Sequence, residues 1–245
     1  MVLFDKYSAE KFNRLPFLSE SSEALQSVGD KGALFSDLNA LFVRYGVTDL
    51  LGLTLVHRHF DVNEDELLVE CNGTTTPWTV PDSVSLCVDD GTIKPQSWAF
   101  LHGRLMPFEF FFEPSFSSTG VPSPDPLSGV DSAFFHEFES LLQQRHLDRT
   151  LGLCLLSRCP EPQIEITRER ANITFNVSEG NYRSVKGEFT DVVWACVEAG
   201  PGDGEFKGTK KCKKVATTSS KAAHVCTQLS NFFHTVFGSI FANSS

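Results

Sequence analysis

The sequence predicts an α+β protein of two pseudo-symmetric modules, each a helix followed by an antiparallel sheet, with an amphipathic helix at the C-terminus. Three observations predict it. The chain repeats itself at an offset of 100 residues: FSDLNALFVRYGVTDLLGLTLVHRHF at 35–60 is answered by FHEFESLLQQRHLDRTLGLCLLSRCP at 135–160. In both halves a stretch with helical spacing precedes several short strand-like runs. The connections between those runs are too short for crossover helices, so neighbouring strands should run antiparallel.

Residues 1–29 are polar and serine-rich, with one short helix expected at Ser8–Arg14. The first module covers 30–113. Its helix, Asp30–Tyr45, has apolar positions at 34, 35, 38, 41, 42 and 45, and Gly46 supplies the stop. Strands follow at Leu51–Phe60 and Glu66–Cys71. Lys94–Phe100 and Leu105–Glu113 form a hairpin turning at Leu101-His102-Gly103-Arg104. Residues 114–129, with Pro114, Pro122, Pro124 and Pro126, read as a linker; its PSPDP run is a spacer before it is a peptide ligand.

The pattern restarts in a second module over 130–216. A helix is expected at Asp131–His146 and a strand at Leu151–Cys159. A strand pair follows at Ile164–Thr167 and Asn172–Val177, and another strand at Val192–Glu198, where Val193-Trp194-Ala195 echoes Ser97-Trp98-Ala99. The turn Gly200-Pro-Gly-Asp-Gly joins two strands and opens no helix, which argues against phosphate binding. It leads to a basic strand near Thr209–Ala216, whose lysines 207, 210, 211, 213 and 214 suit the protection of an exposed sheet edge. In 217–245 the spacing from Ala222 to Ile240 predicts the amphipathic C-terminal helix.

Composition narrows the function. A net charge of −10 repels nucleic-acid phosphates. No run of 18 apolar residues is present, so no membrane-spanning helix is expected, and the N-terminus lacks the basic and apolar regions of a secretory signal. Seven cysteines without a CxxC fit reduced thiols in a cytoplasmic protein. The motifs GxSxG, HExxH and the P-loop are absent from the sequence, which removes the commonest hydrolase and nucleotide-binding mechanisms. Phenylalanine outnumbers tyrosine and tryptophan, 22 against 3 and 3, so the core either needs bulky filler or encloses a pocket for a small apolar or aromatic molecule.

The asymmetry of the repeat marks the candidate site. His57 and His59 stand where the second half has Ser157 and Cys159. On a strand these histidines share a face with imidazoles about 7 Å apart, a unit suited to proton transfer or metal ligation. The alternative is a strand end, half exposed and bonded to backbone or to the acids of Asp61–Glu66. Glu109 shares a face with Phe111 and Pro107, and a carboxyl beside aromatic rings has its proton affinity raised, as a general acid or base needs. The alternative there is a solvated face. Arg58 or Arg104 is a candidate charge stabiliser, and Trp78, Trp98 and Phe100 are candidate pocket walls. His224, Cys226 and His234 with Cys212 do not make a zinc site, because residues two apart on a helix point to opposite sides.

Gly52, His57-x-His59 and Glu64 resemble the first motif of the cupin family, in which two His and a Glu hold a metal; the resemblance implies His57, His59 and Glu64 as ligands. It covers some 13 residues with the glycine spacing one short, and no second motif with a later His follows. LGLTLVHRHF, VECNGTTTPW and RANITF resemble a group of filamentous-fungal proteins of unassigned function, over most of Leu15–Cys212. That resemblance implies one compact protein and small-molecule chemistry of the secondary-metabolism kind; it brings no catalytic residues. The expectation is therefore a small-molecule enzyme without an organic cofactor, a lyase, isomerase or cyclase, in which His57 and His59 act as base and acid and Glu109 assists. A non-catalytic binding or interaction protein and a mononuclear metal protein are the alternatives.

Overall fold

A computed structural model describes residues 3–79, 87–88, 91–114, 125–160, 162–177, 187–200 and 203–213. The expected C-terminal helix and most of the 114–129 linker lie outside the described residues. The elements are β1 (Leu3–Phe4), α1 (Ala9–Phe12), α2 (Leu18–Gln26), α3 (Lys31–Arg44), β2 (Leu51–Leu55), β3 (Glu66–Cys71), β4 (Thr74–Thr79), β5 (Cys87–Val88), β6 (Gly91–Leu101), β7 (Arg104–Pro114), α4 (Ser132–Gln144), β8 (Leu151–Leu155), β9 (Gln163–Arg168), β10 (Ala171–Asn176), β11 (Phe189–Gly200) and β12 (Asp203–Lys213).

Both long helices form for local reasons. Asp30 and Asp131 cap them, each accepting a hydrogen bond from a first-turn amide, Ala33 N–H and Ala133 N–H, at 2.9 Å. Gly46, at φ +63, ends the first, and His146 takes the same left-handed position after the second without being glycine. The hairpin turn falls where it was expected, with His102 at φ +53 and Gly103 at φ +75, the pair of positive angles that a tight two-residue turn requires. The short α2 was not anticipated. It buries Leu18 and Leu25, too few apolar positions to stand out from a serine-rich segment.

The strands do not form two separate modules. They close one ten-strand barrel in the order β7–β3–β4–β10–β9–β12–β11–β2–β8–β6, and β6 pairs back with β7. Within the ten-strand barrel the β3–β7 and β9–β12 neighbours are parallel and the other described pairs antiparallel, while β1 adds to β7 in parallel. The two halves interlock where β2 lies between β11 and β8 and β8 lies between β2 and β6, with Leu53 of β2 opposite Leu153 of β8. Two separate sheets would each leave unpaired edges, and joining edge to edge removes them. For the same reason β12 is no exposed edge: it pairs with β11 on one side and β9 on the other, which corrects the reading of its lysines.

The phenylalanines fill the layer between helices and barrel. Phe42 of α3 meets Phe134 and Phe138 of α4 edge-on at 5.2 and 5.9 Å and Phe206 of β12 at 5.3 Å. Trp98, Phe100 and Trp194 belong to the same buried cluster. Burying such side chains is the main stabilising contribution to the helix–barrel contact, at roughly 25 cal/mol per Å² of apolar surface.

Beyond Leu55 the backbone leaves the barrel wall. Arg58 N–H donates to Pro16 O, pairing with the N-terminal segment, so the strand expected over Leu51–Phe60 stops five residues early. Its counterpart also stops early, with a 3-10 turn over Leu156–Arg158.

The repeated Gly-Leu pair has a packing reason. A Cβ on Gly152 would lie 2.2 Å from the Trp98 carbonyl oxygen, and one on Gly52 would lie 2.7 Å from the Trp194 carbonyl oxygen. Neighbouring backbone in a closed barrel cannot retreat as a surface side chain can. Gly152→Ala is therefore expected to cost about 1–3 kcal/mol or more, read as a lowered denaturation midpoint. A variant as stable as wild type would show that the β6–β8 contact is looser than described.

Candidate functional site

The barrel interior carries a connected set of ionisable groups. Glu165 on β9 is at its centre, with a side chain only 3% exposed. Its Oε2 pairs with Lys210 Nζ of β12 at 2.6 Å and accepts from the Thr174 hydroxyl at 3.4 Å. Its Oε1 lies 3.0 Å from His59 Nε2 and accepts from the Cys212 thiol at 3.1 Å. Burial by itself would raise the proton affinity of Glu165, but the Lys210 ammonium and then the His59 bond hold it well below the usual carboxylate range. Burial would likewise strip the proton from Lys210, yet Glu165 and Glu109 keep it charged, well above the ordinary lysine value.

His57 and His59 do come together, though not as alternate residues of a strand. Their rings meet edge-on with centroids 4.7 Å apart and their Nε2 atoms 3.2 Å apart. His57 Nδ1 lies 2.7 Å from the Leu55 carbonyl oxygen, so it carries the hydrogen and donates it. Nε2 of His57 is then a bare lone pair aimed at His59. Burial, reinforced by His59, pushes the His57 pKa down to about 3, so the ring is neutral at physiological pH.

A cavity of about 350 Å³ opens into the same interior, and Gln96, Ser97, Glu109, Arg158, Cys159 and Lys210 are among its walls. Neither histidine lines it. Ser157 and Cys159, which replace the histidines in the second half, do. Glu109 projects from β7, half-buried, and accepts from the Ser97 hydroxyl at 2.8 Å. Burial raises its proton affinity, and the Glu165 charge adds to this against the opposing pull of Lys210. Arg158 lies over the Phe111 ring, 4.5 Å from its centroid, and pairs with Glu70. Among the described residues, two buried polar side-chain atoms have no protein partner: Arg158 Nε and Gln96 Oε1. Both residues line the cavity.

The remaining sequence candidates sit elsewhere. Arg58 stacks on Phe17 at 3.8 Å and donates from Nε to Leu15 O at 2.7 Å, so it anchors the N-terminal segment and not the site. Arg104 is exposed at the hairpin turn and Glu64 is exposed before β3. Trp98 and Phe100 are core residues, and Trp78 packs on Phe112 with its indole N–H donating to Thr76 Oγ1 at 3.1 Å. Among the described residues no aromatic ring lines the cavity, and Trp98 and Phe100 belong to the cluster that packs helices on the barrel.

Sequence reasoning missed Glu165, Lys210, Cys212, Arg158 and Gln96. Gln163-Ile164-Glu165-Ile166 alternates as a half-solvated strand would, and only closure turns its polar face inward. Lys210 and Cys212 share a face by the same alternation, a signal that the lysine run obscured.

Among known proteins, no family model, no curated protein and no solved structure matches the chain. Among the described residues no helix is long and apolar enough to cross a membrane.

The raised proton affinity of Glu109 carries a sign. A carboxyl whose folded pKa lies above its ordinary 4.5 stabilises the fold below that value and loses this contribution as pH rises through the raised one. Glu109→Gln should therefore match wild type near pH 4 and exceed its melting temperature increasingly toward pH 8. A difference between the two proteins that is the same at every pH would contradict the raised value.

Proposed function

We propose that the barrel interior is the working site of a small-molecule enzyme that moves protons by general acid–base chemistry, of the lyase or isomerase type, with no organic cofactor. The observation that carries this reading is the pairing of two orphaned polar atoms, Arg158 Nε and Gln96 Oε1, with Glu109 around one cavity. A buried donor or acceptor left unpaired costs about 1–3 kcal/mol. A bound molecule that accepts from Arg158 and donates to Gln96 removes that cost.

The ligand that fits is small and polar: a carboxylate or enolisable carbonyl at Arg158, with a hydroxyl or amino hydrogen toward Gln96. This departs from the apolar or aromatic molecule that the phenylalanine content suggested, because the rings are spent elsewhere. Glu109 is the proton carrier, positioned by Ser97. Lys210 and Arg158 supply fixed positive charge where an oxyanion or enolate develops. His57 and His59 are not assigned the acid and base roles, since neither faces the cavity.

A binding protein without chemistry is the second reading, favoured by the same cavity. The two separate on Glu109. A panel of 2- and 3-hydroxy and 2-oxo carboxylates is incubated with the protein in D₂O and followed by thermal shift and by deuterium incorporation. For an enzyme, at least one acid raises the melting temperature and exchanges a carbon-bound proton. Glu109→Gln should keep the shift while slowing exchange about 10²–10⁴-fold, and Arg158→Leu should lose the shift. Binding without exchange points to the non-catalytic reading; no thermal shift with any acid contradicts both.

The reciprocal approach of Gly52 to Trp194 and of Gly152 to Trp98 supports, within the same proposal, two halves that arose by duplication. Kinship with the filamentous-fungal group, a place in secondary metabolism and a cytoplasmic setting rest on the sequence motifs and thiols, and stand as proposals too.

A further inference from the structure

We infer that His57, His59, Glu165 and Cys212 form a zinc site, a structural one that binds the turn after β2 to strands β9 and β12. The inference does not depend on the cavity reading. One donor atom from each residue lies within 4.8 Å of all the others. Neighbouring donors stand at 3.2 Å (His57 Nε2 to His59 Nε2), 3.0 Å (His59 Nε2 to Glu165 Oε1) and 3.1 Å (Glu165 Oε1 to Cys212 Sγ). A tetrahedral ion with bonds of 2.0–2.3 Å needs donors roughly 3.3–3.8 Å apart, so an expansion of a few tenths of an ångström admits it.

Hydrogen-bond counting favours the ion over a purely organic cluster. With its hydrogen on Nδ1, His57 presents only a lone pair to His59. The single hydrogen of His59 Nε2 would then serve both His57 at 3.2 Å and Glu165 at 3.0 Å, a poor division for buried groups. A cation at the centre takes one lone pair from each of the four residues and removes the conflict. On binding, the Cys212 thiol releases its proton and His59 carries its hydrogen on Nδ1.

The outer contacts are those a metal site uses. His57 donates its other ring N–H to a backbone carbonyl, which fixes the tautomer and aims Nε2 inward. Lys210 and Thr174 hold Oε2 of Glu165, leaving Oε1 as a single-oxygen donor. Two imidazoles, a thiolate and a carboxylate are the nitrogen, sulfur and oxygen set that zinc prefers, and four protein donors leave no open position, which makes the ion structural. The site also accounts for the asymmetry of the repeat. The first half brings both histidines and the second brings the acid and the thiol, so one ion joins the two.

The test uses the full chain, stripped with a chelator and titrated with zinc, and separately with cobalt. Wild type is expected to bind one zinc per chain and to melt at a higher temperature when loaded. Its cobalt form should show a thiolate-to-cobalt charge-transfer band. Cys212→Ser and His59→Gln should weaken zinc binding by more than about 100-fold, while Cys71→Ser leaves it unchanged. The inference is overturned if wild type binds no zinc, or if either ligand variant still binds one equivalent with wild-type affinity. Should those variants not fold, the wild-type cobalt spectrum decides, and a bound cobalt without a thiolate band overturns the site.

Discussion

A carboxylate with almost no exposure, Glu165, is the charge around which the barrel interior is arranged. An ion in that position costs several kcal/mol unless its lone pairs are occupied. Each oxygen has two neighbours: Lys210 and Thr174 at one, His59 and Cys212 at the other. Those partners come from the turn after β2 and from β10 and β12, so satisfying one carboxylate sets the positions of two strands and of the turn that leaves the wall. The same charge spreads outward. It keeps Lys210 protonated, and it adds to the burial that raises the proton affinity of Glu109, a carboxyl of the cavity wall. Two carboxyls near one ammonium are thereby shifted in opposite directions, the arrangement from which acid and base roles are assigned.

Barrel closure makes this polar interior possible. The wall leaves no free edge, the helices cover one side with phenylalanine, and the lumen is left to Glu165, Lys210, Glu109 and Arg158. Closure also requires neighbouring strands to approach tightly, which glycine permits at 52 and 152. Most of the aromatic packing thus lies between helices and wall, and the ionisable groups lie within it, with Phe111 under Arg158 as a point of contact between the two.

Much of the local structure was legible in the sequence. The 3.6-residue spacing around Leu34–Phe42 and Phe134–Leu142 located both long helices, and period-two runs located Glu66–Cys71 and the hairpin about Gly103. What was not legible is which strand pairs with which. Period-two alternation shows that a strand has two faces, and it does not say whether the polar face meets water or a closed lumen. Hence Glu109 stood open between a solvated face and a buried acid, Lys210 read as edge protection, and Glu165 drew no notice within a short strand. The histidine pair was visible because a repeated strand lacked it. Its companions Glu165 and Cys212 were not, since they lie more than 100 residues away in sequence and meet the pair only in the closed barrel. The phenylalanine count left bulky filler and pocket lining open, and Phe42, Phe134 and Phe138 serve as filler between the helices and the barrel.

The central claim, that Glu165 and Lys210 are a coupled buried pair on which the interior depends, is tested most directly by a double-mutant cycle. Glu165→Gln, Lys210→Met and the double variant are unfolded by denaturant with a chelator present throughout, so that metal contributes nothing. A coupled pair predicts that each single change costs about 3–5 kcal/mol, because the partner is left buried and uncompensated, and that the double variant loses clearly less than the sum. Single losses below about 0.5 kcal/mol, or losses that simply add, would show that the charges are solvated and that the interior is not organised around Glu165.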